Sequence, residues 1–257
     1  MCTQAVKRVK NTWFLMKTRD PVSWMRYEDE IKLFDSPTDK YRKLIIQNPI
    51  PYEDGYYGGI NEAGVAFIST FVRTSEDQIS YIRKPYIRLI LNAGTATEAV
   101  EIIKSFNPKI GGNMFVADPD KCYGIEATAR EYYVEEIVDE AVKANHFCSL
   151  ADRNINFDND SEFEEWSKTH EERAKELVDN VNSLEDCERL LSDRKNSDKK
   201  RAICTTPDEA RVYTYSAFVF DTSNKLVRYA QGCPSIVGFK EYTFKKLPGN
   251  MKTEQVD

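Results

Sequence analysis

Two helical blocks divide a chain that otherwise reads as short strands. Residues 86–106 and 161–193 carry apolar side chains at helical spacing, whereas the stretches before, between and after them are short alternating or continuously apolar runs. Strands, helices, strands, helices, strands in that order point to a layered α+β domain, with a mostly antiparallel sheet and one helical block on each side. Two sheets packed between two helical layers accommodate this many strands, so an αββα sandwich is the expected fold.

The details follow from local chemistry. Cys2 to Val9 reads as a strand, Lys10-Asn11 as a turn, and the return strand ends at Asp20-Pro21, because Pro21 cannot continue a ladder in mid-sheet. Ile31–Phe34 and Leu44–Ile46 read as further strands, Gly58 to Gly64 as a turn, and Val65 to Val72 as a strand buried on both faces. Helices are predicted over Tyr86–Asn92 and over Glu98–Phe106, the second capped by Thr97 and stopped by Pro108. A hairpin of 113–117 and 122–127 continues into 132–138, and 152–160 is an acidic loop. A charged helix spans 161–181, and Ser183 with Asp186 resembles a capping box for a helix ending near Asp193. A basic loop, 194–201, and a last hairpin of 212–221 and 225–230 complete the pattern. With no composition break and no internal repeat, 1–257 is expected to be one domain with a frayed tail after about residue 246.

Charge and composition narrow the partners. Lys and Arg number 36 against 42 Asp and Glu in 257 residues, a formal net charge of -6, so the chain lacks the basic field that draws proteins to nucleic acid or anionic membrane. The basic loop sits beside Asp193 and Asp198 and is not read as a nucleic-acid patch. No apolar run approaches the ~18 residues of a membrane span. The N-terminus carries charges where a signal peptide needs its apolar segment, so a cytoplasmic location is expected. Six cysteines show no C-x-x-C spacing and there are two histidines, His146 and His170; no metal and no organic cofactor is expected.

One cysteine differs in kind. Removal of the initiator Met is expected when residue 2 is small, and it leaves Cys2 with a free α-amine. The amine (ordinary pKa about 7.7–8.0) and the thiol (about 8.5) both titrate near neutral pH. The amine can hold the thiol's proton while the sulfur attacks, so one residue supplies nucleophile and base without a histidine.

The surrounding residues carry a resemblance. Cys2-Thr3, the hairpin ending Lys17-Thr18-Arg19-Asp20, and the turn Gly59-Ile60-Asn61-Glu62-Ala63-Gly64 resemble the N-terminal nucleophile hydrolases of cysteine type. The group in question contains isopenicillin N acyltransferases, choloylglycine hydrolases (bile salt hydrolases and penicillin V acylases) and archaeal acyltransferase-like relatives. Asn113 to Glu126, Asn145-His146, Tyr213 to Ser216 and Gly232-Cys233-Pro234 resemble later motifs of that group in the same order, covering about residues 2 to 244.

The resemblance implies an αββα sandwich with Cys2 as nucleophile, attacking an amide or thioester carbonyl to form an acyl-thioester that water or an amine then releases. It implies that Asp20 orients the α-amine, that Lys17 stabilises the thiolate, that Asn145 donates to the oxyanion, and that Arg211 (or Arg201) is the arginine near the late strands. Thr18, Arg19, Thr70, Phe71 and Asn61 are the substrate-side residues. Two positions depart from the motif: Thr18 replaces an asparagine, and Phe71 stands where relatives carry an oxyanion-hole asparagine, with Ser69 or Thr70 as substitutes. Cys204 resembles a cysteine of a relative's Ile-Cys segment, and a structural role is the simpler reading. His146 is read as a packing or hydrogen-bonding residue. Trp13, Trp24, Tyr52, Tyr56 and Tyr57 could line an acyl pocket or be ordinary core and surface aromatics. The expected partner is a small amide or peptide substrate, and relatives that form dimers or tetramers leave a homo-oligomer open. Two other readings stand beside an amidohydrolase or acyltransferase: an N-terminal-Cys dipeptidase, and a non-catalytic binding protein that kept the fold.

Overall fold

The computed structural model describes residues 2–21, 29–48, 56–74, 84–106, 111–154, 161–195, 202–209 and 212–245. In chain order the elements are strands β1 (Gln4–Val9), β2 (Thr12–Arg19), β3 (Glu30–Phe34), β4 (Lys43–Gln47), β5 (Tyr56–Asn61) and β6 (Ala66–Thr70), then helices α1 (Lys84–Ile90) and α2 (Ala96–Ser105). Strands β7 (Gly112–Ala117), β8 (Cys122–Ala127), β9 (Tyr132–Ile137) and β10 (Glu140–Lys143) follow, then α3 (Ser161–Val178) and α4 (Leu184–Leu191). The chain continues through β11 (Ser216–Asp221), β12 (Leu226–Ala230), the short α5 (Pro234–Val237) and β13 (Lys240–Thr243).

The strands make two antiparallel sheets. One has six strands in the order β10-β1-β2-β11-β12-β13; the other has seven, β3 to β9 in sequence order. Three apolar layers hold the stack together. Ala5, Met16 and Val219 on the outer face of the six-stranded sheet pack against Ala174 and Val178 of α3 and Leu190 of α4. Val6, Leu15 and Phe218 meet Leu44, Ile68 and Phe115 between the sheets. Phe67, Met114 and Ile125 on the far face of the seven-stranded sheet pack against Ile87, Leu91 and Val100 of α1 and α2. Period-2 alternation assigns odd and even residues of each strand to different layers. The result is the αββα sandwich anticipated from the two helical blocks.

The N-terminal hairpin forms as expected: Val9 pairs with Thr12 across a two-residue turn in which Lys10 takes a φ of 56°. Elsewhere local expectation gives way. Gly58 to Ile60 is not turn but the middle of β5, because the strand must pass close to its neighbours. A Cβ on Gly58 would lie 2.9 Å from the Phe67 carbonyl oxygen and 3.0 Å from the Phe218 ring. The turn is confined to 62–65, where Gly64 has a φ of 93°. Thr95, not Thr97, caps α2, its side chain accepting from the Glu98 N–H at 3.1 Å. Ser183 caps α4 as the capping box predicts, accepting from the Asp186 N–H at 3.2 Å. The strand β10 and the pair α5 and β13 have no counterpart in the sequence reading, and residues 212–215 precede β11 instead of belonging to it. Pro108, most of the acidic and basic loops, and the tail after 245 lie outside the described residues.

Asn61, expected on the substrate side, is a fold residue. It is fully buried; its Oδ1 accepts from Ala63 N and Val65 N at 3.0 and 2.9 Å, and its Nδ2 donates to Leu91 O and Ala93 O at 2.9 and 2.8 Å. Its amide is engaged in tying the β5–β6 turn to the α1–α2 connection.

Candidate active site

The site lies where β1 and β2 open toward the second sheet. Pairing of Gln4 with Lys17 sets the register, so the residue before β1 emerges beside the end of β2. Cys2 and Lys17 both face the space between the sheets, and Lys17 Nζ lies 3.5 Å from Cys2 Sγ. Cys2 is half-buried, whereas Lys17 is 2% exposed.

The Cys2 backbone nitrogen donates to Asn145 Oδ1 at 2.7 Å. Asn145 is held in turn: its Nδ2 donates to Thr70 Oγ1 at 2.7 Å and to the Phe71 carbonyl at 2.6 Å, and its own N–H donates to Ser167 Oγ at 2.8 Å. Asn145 thus presents its carbonyl, not its amide, to the nucleophile's backbone. To act as an oxyanion donor it must release Thr70 or Phe71. The Phe71 position contributes a backbone acceptor where relatives carry an asparagine side chain, and Thr70 contributes its hydroxyl.

Asp20 is linked through Thr18 to Thr3, the residue after Cys2, and the direct contact with the Cys2 nitrogen that the resemblance implies is made by Asn145 instead. The Thr3 N–H donates to Thr18 Oγ1 at 3.1 Å, and that hydroxyl donates to Asp20 Oδ2 at 3.0 Å. Threonine therefore takes over a bridging role at the position where the motif has asparagine. Burial pushes the Asp20 carboxyl above its ordinary pKa; hydrogen bonds from Thr214 and Thr18 and the charge of Lys17 oppose that shift.

Arg19 is buried. It pairs with Asp29 at 3.1 Å, donates to Tyr57 Oη at 2.9 Å and lies 4.2 Å from the Tyr57 ring centroid. Asp29, absent from the sequence reading, is fully enclosed; desolvation raises its pKa to about 6 against the pull of Arg19 and a hydrogen bond from Ser216. Of the three considered aromatics that lie among the described residues, Tyr57 is the one that reaches this group. Trp13 is in the core between the sheets and Tyr56 is in the core beneath α1 and α2, while Trp24 and Tyr52 lie outside the described residues. Arg201 and Arg211 also lie outside them. Gln4, two residues inward from Cys2, is fully buried with neither side-chain amide atom hydrogen-bonded.

A second polar cluster fixes the loop that carries Asn145. Glu126 of β8 accepts from Lys143 Nζ at 2.9 Å and from the N–H groups of Cys148, Ser149 and Leu150 at 3.1, 2.8 and 2.9 Å. Its cross-strand neighbour Asn113 donates to Ala144 O at 2.8 Å and His146 O at 2.7 Å. The Asn113–Glu126 pair, noted in the sequence only as part of a resemblance, thus clamps 144–150 from the opposite sheet. The signal for it was two polar residues placed opposite each other in an otherwise apolar hairpin.

His146 completes the clamp. Its Nδ1 is 2.8 Å from Ser167 Oγ and its Nε2 is 3.0 Å from Glu171 Oε2. Burial works against the imidazolium, but Cys148 and Glu171 outweigh it and bring the pKa to about 9. Among the described residues, His146, Cys148 and Glu171 are the group that could hold a metal ion, with donor atoms within 4.8 Å of one another. Each is already satisfied by the others and by Ser167 and Lys175, so the cluster is accounted for as a hydrogen-bonded brace of α3 against the Asn145 loop.

Comparison with known proteins agrees with this architecture. The family model described as acyl-coenzyme A:6-aminopenicillanic acid acyl-transferase matches residues 7–235, a stretch that begins just after Cys2. A search of curated proteins finds no match. Among solved structures, penicillin V acylase from Agrobacterium tumefaciens is similar with a TM-score of 0.56 at 16% identity, over 96% of this chain and 87% of that one. The Caenorhabditis elegans N-acylethanolamine-hydrolyzing acid amidase ortholog gives 0.55 at 15% identity, over 85% and 92%. Conjugated bile acid hydrolase from Clostridium perfringens gives 0.54 at 12% identity, over 100% and 97%. At these identities the likeness is one of fold, and it is the N-terminal nucleophile hydrolase sandwich. With the family model spanning most of the sequence, the chain belongs to the acyl-coenzyme A:6-aminopenicillanic acid acyl-transferase family.

Proposed function

We propose that this protein is an N-terminal-cysteine amidohydrolase or acyltransferase acting on a small amide through an acyl-thioester on Cys2. The observation that carries the reading is the seating of Cys2, with its nitrogen 2.7 Å from Asn145 Oδ1 and its sulfur 3.5 Å from Lys17 Nζ. Loss of Met1 converts that nitrogen from a peptide N–H into a free amine. The amine then takes the thiol proton, the sulfur attacks the carbonyl carbon, and a tetrahedral oxyanion forms. Collapse expels the leaving amine, which receives the proton, and leaves a thioester. Water or an acceptor amine releases the acyl group by the reverse sequence.

In this reading Asn145 holds the amine, Asp20 and Thr18 fix the adjoining Thr3 N–H, and Lys17 stabilises the sulfur anion. The Arg19–Asp29–Tyr57 group lies on the substrate side, where its planar cation and phenol can meet a polar part of the substrate. Membership in an acyl-transferase family and a fold shared with an acylase, an acid amidase and a bile acid hydrolase support amide acyl chemistry. A cytoplasmic location fits this reading; no described helix is long and apolar enough to cross a membrane.

Incubation of the processed protein with a panel of N-acyl amino acids, dipeptides and acyl-thioesters, followed by rapid acid quench and intact mass measurement, tests the reading. The expected result is an acyl adduct on Cys2 with release of the amine, absent in Cys2→Ala. Turnover of dipeptides alone would select the dipeptidase reading, and no adduct or turnover across the panel would select a binding protein.

A further inference from the structure

Two of the remaining cysteines are not ordinary core thiols. Cys204 and Cys233 are 29 residues apart, and their sulfurs lie 3.1 Å from each other, closer than unbonded sulfurs normally pack. Both are buried, at 0% and 6% exposure. Ser235 Oγ lies 3.3 Å from the first sulfur and 3.4 Å from the second. Cys122 and Cys187 are equally buried but have no such partner, and desolvation drives their thiols well above the ordinary pKa.

We propose that Cys204 and Cys233 form a reversible disulfide, made by a small hydroperoxide, that locks the segment supporting Asp20. The chemistry balances with hydrogen peroxide as oxidant. The Cys233 sulfur attacks the peroxide O–O bond, giving a sulfenic acid and releasing one water. The Cys204 sulfur then attacks Cys233 Sγ, displacing the hydroxyl as a second water and forming the S–S bond. Two thiols lose two electrons to one peroxide, and a dithiol reductant reverses the change. The sulfurs need to approach by roughly 1 Å to reach bonding distance.

The pair is asymmetric in the required sense. The hydrogen bond the two sulfurs share, the hydroxyl of Ser235 and the charge of Arg194 lower the first ionisation of the pair against its burial, and the same hydrogen bond raises the second. Cys233, at 6% exposure against 0% for Cys204, is assigned as the attacking thiol and Cys204 as the resolving one. Cys233 is also placed next to exposed residues 235–238, where a small oxidant can reach it.

The route to the site is short. Cys204 precedes Thr205, whose N–H donates to Thr214 Oγ1 at 3.1 Å and whose carbonyl accepts from Thr214 N at 2.9 Å. Thr214 hydrogen-bonds Asp20, and the next residue, Tyr215, donates from its N–H to Arg19 O at 2.8 Å. Cys233 Sγ also contacts Thr205 O at 3.7 Å. A covalent bond between 204 and 233 would fix this clasp to the segment that leads into α5. The proposal is independent of the chemistry assigned to Cys2.

The test is peroxide titration of the reduced protein, followed by denaturing alkylation and peptide mapping. The expected result is a mass loss of about 2 Da, a cross-linked peptide pair containing Cys204 and Cys233, recovery with dithiothreitol, and a melting temperature raised on the order of 5 °C. In Cys204→Ser, dimedone should trap a sulfenic acid on Cys233. Recovery of both Cys204 and Cys233 as free thiols, under peroxide that has already oxidised exposed Cys148, would overturn the proposal. So would a cross-link that lowers the melting temperature.

Discussion

Two polar clusters interrupt the apolar space between the sheets, and they are built on opposite terms. Around Glu126 nearly every polar atom is answered: one carboxylate takes an ammonium and three backbone N–H groups. Around Cys2 the terms are poorer. Asp20 and Asp29 are buried with pKa values raised by desolvation, and Gln4 is enclosed without hydrogen bonds. A satisfied cluster rigidifies; a strained one holds groups in the protonation states and positions that chemistry requires. The difference separates frame from site, although both are polar, buried and adjacent.

Breaking the frame should have the largest effect. Glu126→Gln replaces an acceptor by a donor facing N–H groups and leaves the buried Lys143 with the partly exposed Glu135, 3.2 Å away, as its remaining anion. The expected cost is about 3–5 kcal/mol, read as a fall in melting temperature on the order of 10 °C. Its converse is that Lys143→Met added to Glu126→Leu should recover part of that loss, since an apolar pair replaces a broken ionic one.

On the site side, Asp29→Asn should change the pH dependence of stability as well as its level, since Arg19 loses its buried anion. The folded-state pKa of about 6 lies above the ordinary 3.8, so the protonated form is the favoured one in the fold. Its contribution is fully present below about pH 4 and is lost as pH rises through about 6. The stability difference between variant and parent, measured by denaturant unfolding from pH 4 to 7, should therefore move in the variant's favour by about 3 kcal/mol. A flat difference would show that Asp29 is not desolvated as described.

Lys17→Met sharpens the contrast in the other direction. It should lower kcat/KM on the order of 100-fold, about 2.7 kcal/mol in barrier, with the melting temperature unchanged or raised, because a buried charge is removed. Ser167→Ala is the mildest break. Loss of the hydroxyl that accepts from Asn145 N and contacts His146 should cost about 1 kcal/mol, with a larger effect on kcat than on KM, since the nucleophile's anchor loosens.

The two clusters also differ in how far they could be read from the chain. The helical blocks, the hairpin closed by Lys10-Asn11 and ended before Pro21, and the Ser183 cap are local signals and survive folding. Cys2, Lys17, Thr18, Asp20, Thr70, Phe71 and Asn145 come together because the hairpin register and the β10 exit place them there. Asn61 misled because an asparagine in a Gly-rich segment looks the same whether it serves a ligand or a turn. Asp29 was invisible because it follows Tyr27-Glu28 and precedes Glu30, a run that reads as a solvated charged face. β10 was missed because Glu-Ala-Val-Lys carries no strand pattern of its own and is recruited by the β1 edge. Tertiary context decided each of these cases.

The most direct test of the central claim is the state of residue 2. Intact mass measurement of the purified protein, followed by timed labelling with a maleimide under native conditions, reports both processing and reactivity. The account predicts a chain lacking Met1 and Cys2 labelled at least tenfold faster than exposed Cys148. A retained methionine, or labelling of Cys2 no faster than Cys148, would contradict it.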